Sequence, residues 1–374
     1  VDPGSNLRGN ATTNRTWVKE SNTWIETHAQ YDNFGNPRKV TDAKGNVAET
    51  QYDAVNKYAY PTKSISAVAD PSGNNGSNAA FETTTTYDFT TGLVLSATDA
   101  NGNTSTTEYN DPLLRPTAVV APNGARTETE YGDTSGNIFV KTRSQFNANT
   151  WVEAVSYADN LGRGIKTQKK DVNGDIFTET EYDNMNRAFR VTNPYRSGDT
   201  KLWSVTTYDE EGRAKETFSP APSGQQGDSL GTSEYGFINE AGLVGTYVVG
   251  IDASGRKGRS VTNSLGQLAR VDEATNFGGT TTADLGSLSS PNQATEYKYD
   301  VFGKMIEVEQ GAQKRHFHYD ALGRLIRVRQ PEQEVNTALN LAGPNNSAWT
   351  AAFEYDDNGN LIKTTDAKGA QITN

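Results

Sequence analysis

The chain has 374 residues, a formal net charge of −11 and only 34% apolar residues, yet aromatic residues make up 9% of it. That acidity repels phosphate backbones and argues against wholesale nucleic-acid binding, and the absence of cysteine excludes disulfides, thiolate–zinc sites and thiol nucleophiles. No apolar run approaches the ~18 residues of a membrane-spanning helix, and the regular placement of Tyr and Phe argues against disorder.

Read from the N-terminus, one pattern recurs. It first appears as Tyr31-Asp32-Asn33-Phe34-Gly35-Asn36, and degenerate copies follow at Tyr52-Asp53, Tyr87-Asp88, Tyr109-Asn110, Tyr131-Gly132, Tyr157-Ala158 and Tyr182-Asp183. A full copy returns at Tyr208, Asp209 and Gly212, a weak one at Tyr235-Gly236, and Thr replaces Tyr in "TNSLGQ" near residue 262. Three more full copies are Tyr299, Asp300, Gly303; Tyr319, Asp320, Gly323; and Tyr355, Asp356, Gly359. Between tyrosines lies a second turn signal, as in "DAKGN" (42–46), "DANGN" (99–103), "PNGA" (122–125), "DVNGD" (171–175) and "DASGR" (252–256). The connecting segments, such as "TSTTEY" and "FTETEY", alternate and are rich in Thr and aromatics, which predicts strands. The nearest thing to a helical period is "VNTALNLAG" (335–343).

One unit is therefore two strands and two turns. Asp opening a four-residue turn accepts a backbone N–H two residues on, and Gly in fourth place supplies the positive φ that a Cβ resists. Asp-x-x-Gly predicts a type I turn closed by a glycine bulge. The preceding Tyr ends its strand, with the ring over neighbouring strands and the hydroxyl seeking a partner at the edge. A two-stranded unit buries no core alone, so the units must pair edge to edge into one long sheet.

These residues resemble the YD-repeat family, also called Rhs repeats, which includes bacterial Rhs proteins, Tc toxin B and C components and teneurins. "YDALGRLIRV" (319–328) and "YDNFGNPRKVTDAKGN" (31–46) carry the likeness, which extends from about Tyr31 to Asn360. The resemblance implies an all-β fold in which tandem two-strand repeats form a long, spiralling antiparallel sheet, part of a hollow, solenoid-like shell. It also implies a non-catalytic segment of a large exported protein, secreted or at the bacterial surface, whose shell encloses a C-terminal toxin and helps deliver it. Its partners would be the rest of the same protein and that toxin. The closing element with an aspartyl self-cleavage site, found in toxin-bearing members, has no counterpart here, so the chain reads as shell wall cut from a longer protein. The alternative is a surface adhesion or carbohydrate-binding scaffold, with Trp349 and Phe277 stacking on sugars.

The whole of 1–374 reads as one domain, interrupted by loops at about 65–83, 218–233, 273–294 and 330–352, the candidate partner-binding elements. His316 and His318 share one strand face, a spacing that suits a metal only if a neighbouring strand adds a ligand; His28 is remote. The plain reading makes both polar residues of the outer face. Lys314, Arg315, Arg324, Arg327 and Arg329 read as a solvated face balancing nearby carboxylates. Asp171, Asn173 and Asp175 superficially suggest a calcium loop, but Gly174 comes fourth where such a loop needs it sixth, and "DDNGN" (356–360) has the same defect. No catalytic motif, metal site or cofactor is assigned. Sequons at Asn10, Asn14, Asn75, Asn103 and Asn345 are expected by chance in so Asn- and Thr-rich a chain.

Overall fold

A computed structural model describes residues 9–74, 78–240, 242–275, 284–341 and 348–373. The fold is all-β: 29 strands and a single 3₁₀ turn, Thr337–Leu339, are found among the described residues. That turn lies inside "VNTALNLAG", the one stretch with a helical period, and Asn336 caps it by accepting the Ala338 N–H.

Each strand pairs antiparallel with its neighbours in sequence, as the short connections dictate. The chain divides into two compact units, Val1–Phe177 and Thr178–Asn374, where one domain is expected from the repeats. In a meander each strand packs only on its neighbours, so a long ribbon need not share one core. In the first unit the meander runs from Thr13–Val18 through Gly164–Lys169. In the second it runs on to Gln371–Thr373, and only the short strand Tyr195–Arg196 departs from the order, because Ala188–Thr192 pairs past it with Leu202–Tyr208.

Threonine supports the ladders directly. Thr98 and Thr104 face each other with hydroxyls 2.8 Å apart, as do Thr246 and Thr262, the cross-strand pairs that favour Thr-rich strands. Strand Leu243–Asp252 alternates half-buried or buried with exposed residues along its length, a strand covered on one face.

Because consecutive turns alternate between the two ends of a meander, within each unit every Tyr-Asp turn lies on one rim and every intervening turn on the other. All four period-breaking stretches fall on the rim opposite the tyrosines. Three are connections of appreciable length, joining Pro61–Ile65 to Glu82–Tyr87, Leu268–Glu273 to Ala294–Tyr299, and Leu325–Arg329 to Ala351–Tyr355. The stretch 218–233 is mostly strand instead, since Ala214–Pro222 and Ser229–Glu240 extend into it and leave a short turn. Its Ser, Pro and Gly residues are accommodated by a register shift, with Ser219 accepting the Asp228 N–H.

Candidate functional site

The Tyr-Asp turn is the same object in each full copy. At Asp320 the backbone N–H donates to Arg324 O, the Gly323 N–H donates to Asp320 O at 2.9 Å, and Oδ1 accepts the N–H groups of Leu322 and Arg324. Gly323 has φ +75°, and the strand register shifts between His318 and Tyr319, so a type I turn ends in a bulge. Gly35, Gly212, Gly303 and Gly359 repeat this with φ between +79° and +90°. Asn263 replaces Asp in "TNSLGQ" and accepts the same two N–H groups.

The residue after the glycine, or after Asn186 where that replaces it, closes the turn on itself. Arg163, Arg187, Arg213 and Arg324 each bring Nε within 2.7 Å of their own turn's Asp Oδ2, whereas Asn36, Asn103 and Asn360 donate their amide to it. Hydrogen bonds from the Arg side chains hold the Asp159 and Asp183 carboxyls below their ordinary range, and those from Asn103 do the same for Asp99.

The tyrosine hydroxyl does not stay at the edge. It reaches back one repeat, to the carbonyl of the residue that follows the previous turn. Tyr109 Oη donates to Val94 O, Tyr208 to Ala188 O, Tyr235 to Ala214 O, Tyr299 to Leu268 O, Tyr319 to Met305 O and Tyr355 to Leu325 O, at 2.6–3.0 Å. Each accepting residue is the cross-strand partner of the previous repeat's Tyr, or of Thr262 in its place. The previous turn's Arg then lies over the incoming ring: Arg187 is 4.4 Å from the Tyr208 centroid, Arg213 is 4.3 Å from Tyr235 and Arg324 is 5.0 Å from Tyr355. Tyr, Asp and Arg are thus spent on joining one repeat to the next. Burial pushes the Tyr299, Tyr319 and Tyr355 phenols up from their ordinary value, which suits donors and not nucleophiles.

Two patches of the second unit carry more than the repeat. In one, Asp272 is fully buried between Arg259 and Arg270, with Nε atoms 2.5 and 2.7 Å from its oxygens. The guanidiniums also donate to Ser287 O and Leu288 O of the connection after Leu268–Glu273. Leu285 of that connection packs with Val249 and Ala274. In the other, Arg327 donates to Leu339 O and Arg329 to Ala348 O, while Leu339, Trp349 and Ala352 form a buried cluster. Burial lowers the Arg327 pKa. Arginines on a strand thus clamp an inserted segment by its backbone carbonyls in both patches.

These contacts correct several expectations. Arg327 and Arg329 are not a solvated face, although Lys314, Arg315 and Arg324 do pair with Glu309, Glu332 and Asp320. His316 Nδ1 lies 3.2 Å from Glu307, but the His318 ring sits 5.8 Å from Trp349, beneath the inserted segment, so the two histidines do different things. Trp349 is only 4% exposed and offers no platform for a sugar, and Phe277, Asn75 and Asn345 lie outside the described residues. Asp171 caps its own turn, and Asp175 accepts from Gln168. Among the described residues, no group of three His, Asp or Glu is disposed to hold a metal ion. The buried Arg-Asp-Arg triad was not anticipated. Its trace in the sequence is that Arg259, Arg270 and Asp272 share strand parity with inward-facing Val261, a cue masked by the ordinary look of charged residues in alternating strands.

Residues 280–370 match the family described as the teneurin YD-shell. The match gives that segment a structural, shell-forming role. Among solved structures, the chain aligns with the TcdB2-TccC3-TEV crystal structure at 13% identity and a TM-score of 0.43, covering 91% of this chain and 22% of that one. It aligns with the Photorhabdus luminescens Tc holotoxin pore at 14% identity and a TM-score of 0.39, covering 91% of this chain and 21% of that one. The chain therefore spans about a fifth of the length of these structures. No curated protein matches it. No helix among the described residues is long and apolar enough to cross a membrane.

Proposed function

We propose that this chain is a non-catalytic wall segment of a large exported YD-repeat protein, secreted or held at the bacterial surface. Its repeats enclose, and help deliver, a toxic domain carried elsewhere in that protein. The observation that supports this reading best is the tyrosine relay. The side chains most suggestive of chemistry, Tyr, Asp and Arg of each turn, are engaged in joining consecutive repeats. A sheet so joined resists opening between repeats and isolates a cargo by steric enclosure, without a pocket built for a ligand. The turn residues Tyr31, Asp32 and Gly35, and their equivalents through Tyr355, Asp356 and Gly359, act as structural elements in this scheme.

The test is limited proteolysis of the full-length protein. If the wall encloses a cargo, the non-repeat domain stays intact under protease concentrations that digest the same domain expressed alone. Equal digestion rates overturn enclosure while leaving the repeat architecture untouched.

A further inference from the structure

Among the described residues four Asn-Gly pairs fill the third and fourth places of a turn: Asn101-Gly102, Asn123-Gly124, Asn173-Gly174 and Asn358-Gly359. Each asparagine is exposed, and each glycine has a positive φ. Each glycine N–H donates to the carbonyl three residues back, at 2.8–3.1 Å. Glycine leaves its own nitrogen unshielded by any side chain, so in every pair that nitrogen can approach the preceding carboxamide. What separates the four sites is the residue that opens the turn.

Three of these turns open with Asp99, Asp171 or Asp356. Asp99 Oδ1 accepts the N–H groups of Asn101 and Asn103, Asp171 Oδ1 accepts that of Asn173, and Asp356 Oδ1 that of Asn360. The Asn101 carboxamide takes no part in holding its turn. The fourth turn opens with Ala121, which has no side-chain oxygen to offer. There the fifth residue, Ala125, donates its N–H to Asn123 Oδ1 instead, at 3.0 Å. That bond does two things to the Asn123 carboxamide. It draws electron density toward Oδ1 and makes Cγ a better electrophile, as N–H donors do at a developing oxyanion. It also closes a ring of atoms that contains both Cγ and the Gly124 nitrogen, which keeps the two as neighbours.

We propose that Asn123 is a self-modification site, the position at which this chain deamidates first. The Gly124 nitrogen gives up its proton to water and attacks Asn123 Cγ. As the new N–C bond forms, the bond from Cγ to the side-chain nitrogen breaks, and that nitrogen takes a proton from water and leaves as ammonia. Water then opens the resulting five-membered imide at either carbonyl, which puts aspartate or isoaspartate at 123. Isoaspartate lengthens the main chain by a methylene inside a turn whose span is set by the Ala121 N–H to Ala125 O and Gly124 N–H to Ala121 O bonds. The connection from Ala118–Val120 to Arg126–Thr134 is therefore where the sheet would loosen with age. This chemistry is independent of any enclosed cargo.

Peptide mapping by mass spectrometry of the full chain, aged in neutral buffer, reads all four sites in one molecule. The expected result is that Asn123 deamidates at least about fivefold faster than Asn101, Asn173 and Asn358, the factor that one ordinary hydrogen bond carries in a rate. In guanidinium chloride, where the turns are lost, the four rates should converge. Ala121→Asp restores the acceptor found in the other three turns and should slow Asn123 to the rate of Asn101. Ala121→Asn, in the manner of Asn263, should do the same, and circular dichroism checks that both variants fold. An Asn123 no faster than the other three in the folded chain overturns the proposal, as does a rate that both substitutions leave unchanged. So does a lead that persists in guanidinium chloride, since it would then belong to the flanking sequence and not to the turn.

Discussion

The first unit lives with almost no core, and the second builds two. Among described residues, Val18, Ala118 and Val155 are the buried apolar side chains of the first unit. The second buries Trp203, Phe218, Ile238, Val261 and others, and gathers two clusters around Leu285 and Trp349. The strands and turns are alike, so the repeat is not the cause. What differs is what the long connections do. In the first unit the connection after Pro61–Ile65 keeps hydrogen bonding at its base, Ser66 N–H to Phe81 O, and Phe81 is exposed. In the second, the equivalent connections lie over the sheet and are clamped by Arg259, Arg270, Arg327 and Arg329. Instead of a roof, the first unit has an ion-pair ladder, Glu108 to Arg126 to Glu128 to Arg143, half exposed and correspondingly weak. Sheet pairing and tyrosine relays suffice for the ribbon, and a core is a local addition where an insertion folds back.

That contrast is broken most severely at Asp272. Asp272→Asn leaves two buried guanidiniums without a counterion and should cost about 3–5 kcal/mol. Hydrogen exchange should show the loss in the second unit and leave strands such as Thr104–Glu108 unchanged; uniform loosening of both units would refute the local character of the core. Trp349→Ala removes the centre of the other cluster and should cost about 3 kcal/mol. Its check is faster exchange in Leu325–Arg329 and Ala351–Tyr355, with Val249 and its neighbours unaffected.

Effects common to both units are smaller. Gly323→Val forces a β-branched residue to φ +75° with its Cβ 3.0 Å from Lys304, at about 2 kcal/mol, whereas Gly323→Asn should cost less, because Asn186 already occupies φ +63° in the equivalent turn. Chemical denaturation of the two variants decides this, and equal stability of Val and Gly at 323 would contradict the turn geometry. Tyr355→Phe removes one hydroxyl–carbonyl bond between repeats and should cost about 1 kcal/mol by the same measurement.

The ribbon was legible because each unit writes its geometry locally: Asp and Gly specify a turn within five residues, and strand alternation fills the space between. The relay was half legible. The Tyr at the strand end signals a packed ring, but the carbonyl it finds lies 14 to 31 residues earlier in the chains of contact seen for Tyr319 and Tyr299, set by register and not by spacing. The roofs were not legible at all. Whether Arg327 meets water or Leu339 O depends on where a Gly- and Asn-rich segment lands, and such segments carry no periodic signal.

The smallest expected effect distinguishes the two kinds of turn closure. The carboxyls of Asp99, Asp159 and Asp183 titrate below the ordinary aspartate range, and Arg115 holds Asp111 at about 2. A folded-state pKa below the unfolded value means that protonation favours the unfolded chain. The stabilisation is therefore present above about pH 4 and is lost as pH falls toward the folded-state values, about 2 for Asp111. Melting temperature should drop across that window, and a flat profile there would remove these turns from the stability of the ribbon. Salt separates the two closures: it screens the half-buried, still solvent-accessible Asp159–Arg163 and Asp183–Arg187 ion pairs, but not the Asn103 amide and backbone N–H groups that hold Asp99. Comparing Arg163→Gln with the native chain at low and high salt isolates the charged closure, because the native advantage should shrink as salt rises. An advantage that salt leaves unchanged would mean that the guanidinium acts by packing alone.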